Sequence, residues 1–308
     1  MKTFLVTGAA GFIGGALARK LLDGGHQVVT IDNLSTGFRA NIPEGVLFIE
    51  GDCAEQKVVD QLNEFQFNAI HHIAGQSSGE ISFEDPAYDL KTNALSTLLL
   101  LKYALTHGCR KFIYASTMSI YGDQPDSPVD EEADTAPKSF YAVGKIASEH
   151  YMRLYSQYGM CNTALRLFNV YGPGQNMANP KQGMVSIFLA QAVNNRKIIV
   201  KGSPNRYRDF VYIDDVVEAF MSANNINEQG YWFYNIGTGK RTTVNELLSL
   251  IEANHPFGIE IDFGDSTPGD QFGIYADVSK STKGIHWMPK TDLGTGLRKM
   301  IEWVLENE

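Results

Sequence analysis

Short, apolar, β-rich runs punctuate the first half of the chain. "TFLVT" (3–7), "QVVTI" (27–31), "VLFI" (46–49), "AIHHI" (69–73), "KFIYA" (111–115) and "TALRL" (163–167) predict buried strands. Between them, apolar residues recur at three- and four-residue spacing and predict helices over 12–24, 55–65, 86–107 and 139–158. Most positions in these strands are apolar, and the order is βαβα. That combination predicts an α/β fold with a parallel sheet covered by helices on both faces.

The rhythm changes after about residue 170. "YGPGQNMANPKQG" (171–183) reads as a loop, followed by a helix over 184–195, a short strand over 198–201 and the segment "RDFVYIDD" (208–215). Helices over 214–224, 243–254 and 293–306 and a strand near 232–236 complete the chain. Residues 171–205 and 237–308 are expected to build a smaller, discontinuous lobe. The segment 206–236 is expected to return to the main sheet formed by 1–170. No internal repeat or low-complexity tract interrupts this pattern.

Composition removes several classes of function. Of 308 residues, 44% are hydrophobic and 20% charged, the balance of an ordinary globular protein. The net charge of −9 comes with no basic block, which argues against a phosphate-tracking nucleic-acid surface. Glycines interrupt the apolar N-terminus before a signal core can form, and "LLLL" (98–101) is too short to span a bilayer. Cys53, Cys109 and Cys161 are odd in number, scattered and without metal-type spacing, as expected in a reducing cytoplasm. A cytoplasmic protein with no membrane partner and no metal is the expectation.

The first strand runs into Gly8-Ala9-Ala10-Gly11-Phe12-Ile13-Gly14. A glycine turn between strand and helix lets a pyrophosphate approach the backbone, where free N–H groups at the helix start face the anion. A tight βα turn that simply needs glycine reads the same way. The context favours the dinucleotide: first strand, helix behind it, and an acid, Asp32, ending the second strand beside Asn33. A carboxylate there accepts hydrogen bonds from the adenosine ribose and repels a 2′-phosphate, so NAD is favoured over NADP. Asp52 and Cys53 in "EGDC" are placed to meet the adenine edge, although a loop cap explains Asp52 nearly as well.

Of fourteen tyrosines, only Tyr141 has lysine four residues on, at Lys145 in "YAVGK". Such a pair arises by chance about once per chain, so its setting decides. It opens a helix after a polar loop (122–138). Thr117, in "YASTMSIYG", lies at the end of a strand 24 residues upstream, where this architecture places its chemistry. A phenol with a pKa of about 10 is a poor base at neutral pH. A neighbouring ammonium and an oxidised nicotinamide both favour the phenolate. Base, tuning cation and hydroxyl orienter beside that cofactor make an alcohol-oxidising site.

At this point the chain resembles an extended short-chain dehydrogenase/reductase, within the nucleotide-sugar epimerases and dehydratases, closest to the UDP-hexose 4-epimerases. The resemblance spans nearly the whole length through "TGAAGFIGG", "IDNLSTG", "HHIAGQ", "DPAYDLKTNALST", "STMSIYG", "YAVGK", "LRLFNVYGPGQ", "RDFVYIDD" and "PGD…ADVSK". It implies a Rossmann-type doubly wound parallel sheet with a substrate-binding lobe. By this resemblance Ala74, Gly75, Asn93 and Phe168 belong to the cofactor site, and Asn169 and Arg208 hold the diphosphate of a nucleotide sugar, a UDP-sugar favoured. A guanidinium suits that role because it forks onto phosphate oxygens; a surface Arg208 paired with Asp209 is the alternative.

The family opens with hydride removal from a sugar carbon, usually C4, to NAD. Its 4,6-dehydratases carry an Asp-Glu pair after the catalytic threonine, where this chain has Met118 and Ser119. Neither is a carboxylic acid, so return of the hydride to the opposite face, a 4-epimerisation, is the favoured outcome. Ser119 is then expected beside the substrate with Thr117 and Tyr141. Reduction of a nucleotide 4-keto sugar is the rival reaction, and a non-catalytic dinucleotide sensor the rival class. Two departures stand out. Thr267 occupies the usual arginine position before Pro-Gly-Asp, with Arg206 as a substitute contact. Ile274 falls where a side chain limits room around the sugar C2 substituent. His71-His72 is expected to pack rather than bind metal. Tyr151, Tyr155 and Tyr158 are expected on a packed or half-exposed helix face. The helices over 86–107 and 139–158 are expected to form a two-fold, four-helix contact in a homodimer.

Overall fold

The computed structural model describes residues 1–179, residue 181, residues 183–265 and residues 271–307. Its centre is a sheet of β1 (Thr3–Thr7), β2 (Gln27–Asp32), β3 (Leu47–Glu50), β4 (Ala69–His72), β5 (Lys111–Thr117), β6 (Cys161–Leu167) and, after four short strands, β11 (Gly230–Ile236). The order across the sheet is β11-β6-β5-β4-β1-β2-β3, and every pairing is parallel. The chain reverses its direction of progress between β1 and β4. Loops leave the carboxyl ends of those strands in opposite directions there, opening the crevice in which such sheets bind ligands.

Helices cover both faces because both faces are apolar. On one side α1 (Phe12–Asp23) and α8 (Ile213–Ala223) pack through Leu17, Leu21, Val216 and Phe220 onto Phe4 and Val6. On the other, Leu62, Leu100 and Met152 meet Leu5, Ile31, Ile70 and Phe112. Leu5 and Val6 are neighbours on β1 yet serve opposite cores, as the alternation of a strand requires.

The predicted helix over 55–65 is a short α2 (Gln56–Val59) continued by a tighter 3₁₀ turn over Asp60–Glu64. The predicted helix over 86–107 is α4 (Pro86–Leu90), a π turn over Lys91–Leu95 and α5 (Ser96–Thr106). A further short helix, α3 (Gly79–Glu84), precedes it, capped by the Ser78 hydroxyl. α6 (Phe140–Ser156) begins where Ser139 Oγ accepts the Ala142 N–H at 3.2 Å.

The later half adds β7 (Asn169–Tyr171), α7 (Met184–Asn195), β8 (Lys197–Lys201), β9 (Tyr207–Arg208) and β10 (Phe210–Tyr212). After β11 come β12 (Thr242–Thr243), α9 (Val244–Asn254), β13 (Glu260–Gly264), α10 (Ser279–Gly284) and α11 (Leu293–Glu306). These short strands pair as β7 with β10, β8 with β13 and β9 with β12. Val185, Leu189, Ile198, Leu247 and Met300 extend the first core out of the sheet without a break. Among the described residues, no helix is long and apolar enough to cross a membrane, and no cluster of three potential metal ligands occurs.

Candidate active site

A cleft of about 390 Å³ opens over the carboxyl ends of β1, β2, β4 and β5. Its first wall is the glycine turn. Gly8 has a φ of +78°, and a Cβ there would stand 2.9 Å from the Ala74 nitrogen. A Cβ on Gly14 would overlap the Gly8 carbonyl. These glycines let β1, α1 and the end of β4 close on one another while leaving backbone exposed to the cleft. No side chain caps α1 at Gly11, so its first N–H groups remain available to an anion.

Asp32 is only 7% exposed, and its two oxygens accept the Ala10 N–H at 2.9 Å and the Leu34 N–H at 2.8 Å. The carboxylate therefore ties the glycine turn to the end of β2 and still lines the cleft beside Asn33. Asp52 and Cys53 line the same end. Asp52 accepts the Ala54 N–H at 2.9 Å and pairs with Lys91 at 2.9 Å, so a loop-capping role is present alongside its place in the wall. Burial pushes the Cys53 thiol up to about 12, which leaves it an apolar wall rather than a nucleophile. Bare backbone, an uncapped helix start and an anchored carboxylate in one wall fit a dinucleotide.

The other end of the cleft is built from side chains. Thr117 ends β5; its Oγ1 donates to Ser119 Oγ at 3.2 Å and accepts the Ser119 N–H at 3.2 Å. Tyr141 sits in the first turn of α6, with Thr117 beside its phenol. Lys145, one turn on, is 3% exposed and donates to the Ala115 carbonyl at 2.9 Å. Its Nζ lies 4.7 Å from the Tyr114 ring centre and 5.8 Å from that of Tyr141. Burial pushes the Tyr141 phenol up to about 12, against a lowering hydrogen bond from Thr117. Burial also drives Lys145 down to about 8. In the protein alone desolvation dominates the phenol, and the group that opposes it is Thr117, not Lys145.

Phe168 and Asn169, at the end of β6, line the cleft with Ala74 and Gly75. Asn93 does not line it. It stands behind Gly75, where a Cβ would meet Asn93 Oδ1 at 2.5 Å. Arg208 does not line it either. Buried on β9, its guanidinium donates to the Gln271 carbonyl at 2.7 Å and the Tyr207 carbonyl at 2.8 Å. The surface Arg208–Asp209 alternative is not what forms: Asp209 is buried and accepts the Thr238, Gly239 and Ala276 N–H groups instead. Ile274 is 1% exposed and packs with Met118 and Phe168 beneath the cleft, not in its wall. Thr267 and the Pro-Gly-Asp after it lie outside the described residues. Among the described lining residues, the only carboxylates are Asp32 and Asp52, both at the adenosine end.

Three supports go beyond the sequence reading, which expects His72 only to pack and does not name Glu149 or Asp89. The first hangs on His72. Thr7 Oγ1 accepts the Ile73 and Ala74 N–H groups at 3.1 and 3.0 Å, so its proton goes to His72 Nδ1 at 2.8 Å. His72 Nε2–H then donates to Ser96 Oγ at 3.0 Å, and Ser96 donates to the Thr92 carbonyl at 2.6 Å. This chain fixes the neutral tautomer and locks the Ala74-Gly75 turn to the π turn. His71 faces the other core, between the rings of Phe4 and Phe220. The second support is Glu149, one turn beyond Lys145. It accepts Arg166 Nη2 at 2.8 Å, the Tyr231 hydroxyl at 2.7 Å and the Ser116 hydroxyl. Its place four residues after Lys145 was the available signal, since such residues share a helix face. The third is Asp89, held by Gln76 and Asn93 at 2.8 and 3.1 Å.

A family model described as NAD-dependent epimerase/dehydratase matches residues 4–237. The UDP-glucose 4-epimerase of Mycolicibacterium smegmatis is 34% identical, over 97% of each chain. The structure of UDP-glucose 4-epimerase from Thermotoga maritima with UDP-glucose is 33% identical, covers 99% of each chain and superposes with a TM-score of 0.95. That of the Thermus thermophilus UDP-glucose 4-epimerase in complex with NAD is 34% identical over 98% of each chain, with a TM-score of 0.91. A matched model across most of the length, on a cleft whose walls suit a dinucleotide, makes this chain a member of the NAD-dependent epimerase/dehydratase family.

Proposed function

We propose that this protein interconverts UDP-hexoses at C4, with UDP-glucose and UDP-galactose as the first pair to test. The observation that carries the reading is the Thr117–Tyr141–Lys145 group in a cleft end where no described residue supplies a carboxylic acid. An acid there would eliminate water or drive other chemistry after oxidation; without one, reversal of the first step is what remains. NAD, when bound, supplies a reversible hydride acceptor and a positive charge beside the phenol.

Tyr141 takes the proton of the C4 hydroxyl and later returns it. Thr117 orients that hydroxyl, and stabilises the phenolate once its proton turns from Ser119 Oγ. Lys145 adds the ammonium that offsets burial of the phenolate. Gly8, Gly11, Phe12, Ile13 and Gly14 receive the pyrophosphate, and Asp32 with Asn33 the adenosine ribose. Asp52 and Cys53 border the adenine, while Ala74, Gly75 and Phe168 border the nicotinamide half. Asn93 acts from behind Gly75. Ser119 and Asn169 contact the sugar nucleotide. Arg208 would contact the diphosphate only after its guanidinium turns from the carbonyls of Tyr207 and Gln271.

Residues 1–170 with 206–236 then form the nucleotide-binding part, and 171–205 with 237–308 the substrate lobe. A homodimer is supported by exposed Leu90, Leu95, Val143 and Leu154 on α4, the π turn and α6. Three free, buried cysteines support a cytoplasmic setting.

Proton NMR of the protein with UDP-glucose, UDP-N-acetylglucosamine and UDP-glucuronate, plus catalytic NAD, tests the reading. A new anomeric signal without net NADH supports it and names the sugar. Stoichiometric consumption of reduced cofactor on a keto sugar, with no epimerisation, would replace it by the reductase.

A further inference from the structure

Lys145 is a buried cation, and two carboxylates face it: Asp89 from α4 and Glu149 from its own helix. The remaining titratable neighbours are the phenols of Tyr141 on α6 and Tyr114 on β5, and His72 on β4, which burial keeps neutral by pushing it down to about 3. Glu149 is already committed. Arg166 clasps it through Nε and Nη2 at 3.2 and 2.8 Å, and Tyr231 and Ser116 add two hydroxyls. Its charge is spent on the guanidinium.

Asp89 is differently placed. Both of its hydrogen bonds, from Gln76 and Asn93, fall on Oδ1. Oδ2 is buried with no protein hydrogen-bond partner among the described residues. It lies against α6 at Gly144, the residue before Lys145, where a Cβ would stand only 3.2 Å from it. A buried carboxylate oxygen without a donor is costly unless a charge compensates it. Gly144 lets Asp89 approach the helix that carries Lys145.

We propose that Asp89 is the counter-ion of Lys145, a positioning residue that touches no ligand and holds the Lys145 ammonium charged beneath the cleft. Asp89 has the larger upward influence on Lys145, ahead of Glu149, while burial pushes its own carboxyl upward against Gln76, Asn93 and the Lys145 charge. The role rests on the catalytic reading of Lys145 given above.

Asp89→Asn tests it, because the amide oxygen still accepts from Gln76 and Asn93 while the charge at Oδ2 is gone. Lysines carrying carbon-13 at Cε report their own titration in the NAD-loaded protein, and Lys145→Arg identifies the signal of Lys145. The expected result is a Lys145 midpoint lower by about one pH unit. The alkaline limb of kcat/KM moves with it, and Asp89→Glu restores most of the shift. An unmoved midpoint in folded Asp89→Asn, or a rate loss equal at every pH, overturns the proposal. Should Asp89→Asn not fold, the carboxyl carbon-13 signal of Asp89 in the unaltered protein decides: ionised at pH 7 supports the pair, protonated there overturns it. A midpoint that moves in a protein with no sugar turnover would sink the epimerase reading and leave the counter-ion standing.

Discussion

The two ends of the cleft are made of different material. The adenosine end is mostly backbone: glycines that let strand, helix and neighbouring turn touch, and one carboxylate tied down by two N–H groups. The catalytic end is side chain throughout, and its groups sit on charges buried several residues away. Arg166 and Glu149 are 5% and 2% exposed, and Tyr121, Glu131 and Asn235 complete their network. Shape holds the first end; charge balance holds the second. The first should tolerate loss of a polar group with a graded loss of affinity, whereas the second should fail abruptly.

The largest effect is expected at Tyr141. Tyr141→Phe removes the base and should lower kcat by about 10³-fold while the purified protein retains NAD, read by cofactor release and absorbance. A variant with full turnover would place the chemistry elsewhere. Arg166→Met comes next. It strands the Glu149 carboxylate in the core and should cost about 3–5 kcal/mol in urea unfolding. If stability held, the catalytic end would not depend on this pair.

Acid should weaken the fold as a whole. Burial sets His71 and His72 at about 3 in the folded protein, against about 6.5 when unfolded. The unfolded chain therefore binds more protons between those values. Stability is complete above pH 6.5 and falls on acidification by up to about 1.4 kcal/mol per pH unit for each histidine. Denaturant melts between pH 7 and 5 should show this slope, and His71→Phe should roughly halve it. The smallest effect belongs to the adenosine end. Asp32→Asn should weaken NAD binding about tenfold by calorimetry, with kcat at saturating cofactor unchanged.

The same division explains what could be read in advance. The six early strands lie within two residues of their expected bounds, because apolar runs between glycine and polar breaks leave few other choices. The glycine turn and Asp32 announce themselves by local spacing. The π turn at Lys91–Leu95 has no such mark; Asn93 within it donates to the Gln76 carbonyl, 17 positions away in sequence. β13 carries no such mark because "EIDFG" is almost wholly exposed and pairs only with β8. Arg208 and Asp209 are adjacent in the chain, yet alternate along the backbone and go to different partners, so adjacency misled. Tyr141 and Lys145 were visible as a pair, but the state of Lys145 depends on Asp89, 56 positions away in sequence.

The most direct test of the central claim, that hydride leaves and returns at one carbon with Tyr141 as proton carrier, is the fate of deuterium in UDP-glucose labelled at C4. The account predicts UDP-galactose with the label retained at C4, no exchange into solvent and no net NADH. Product that has lost its deuterium to water, or formed by consuming reduced cofactor, would contradict it.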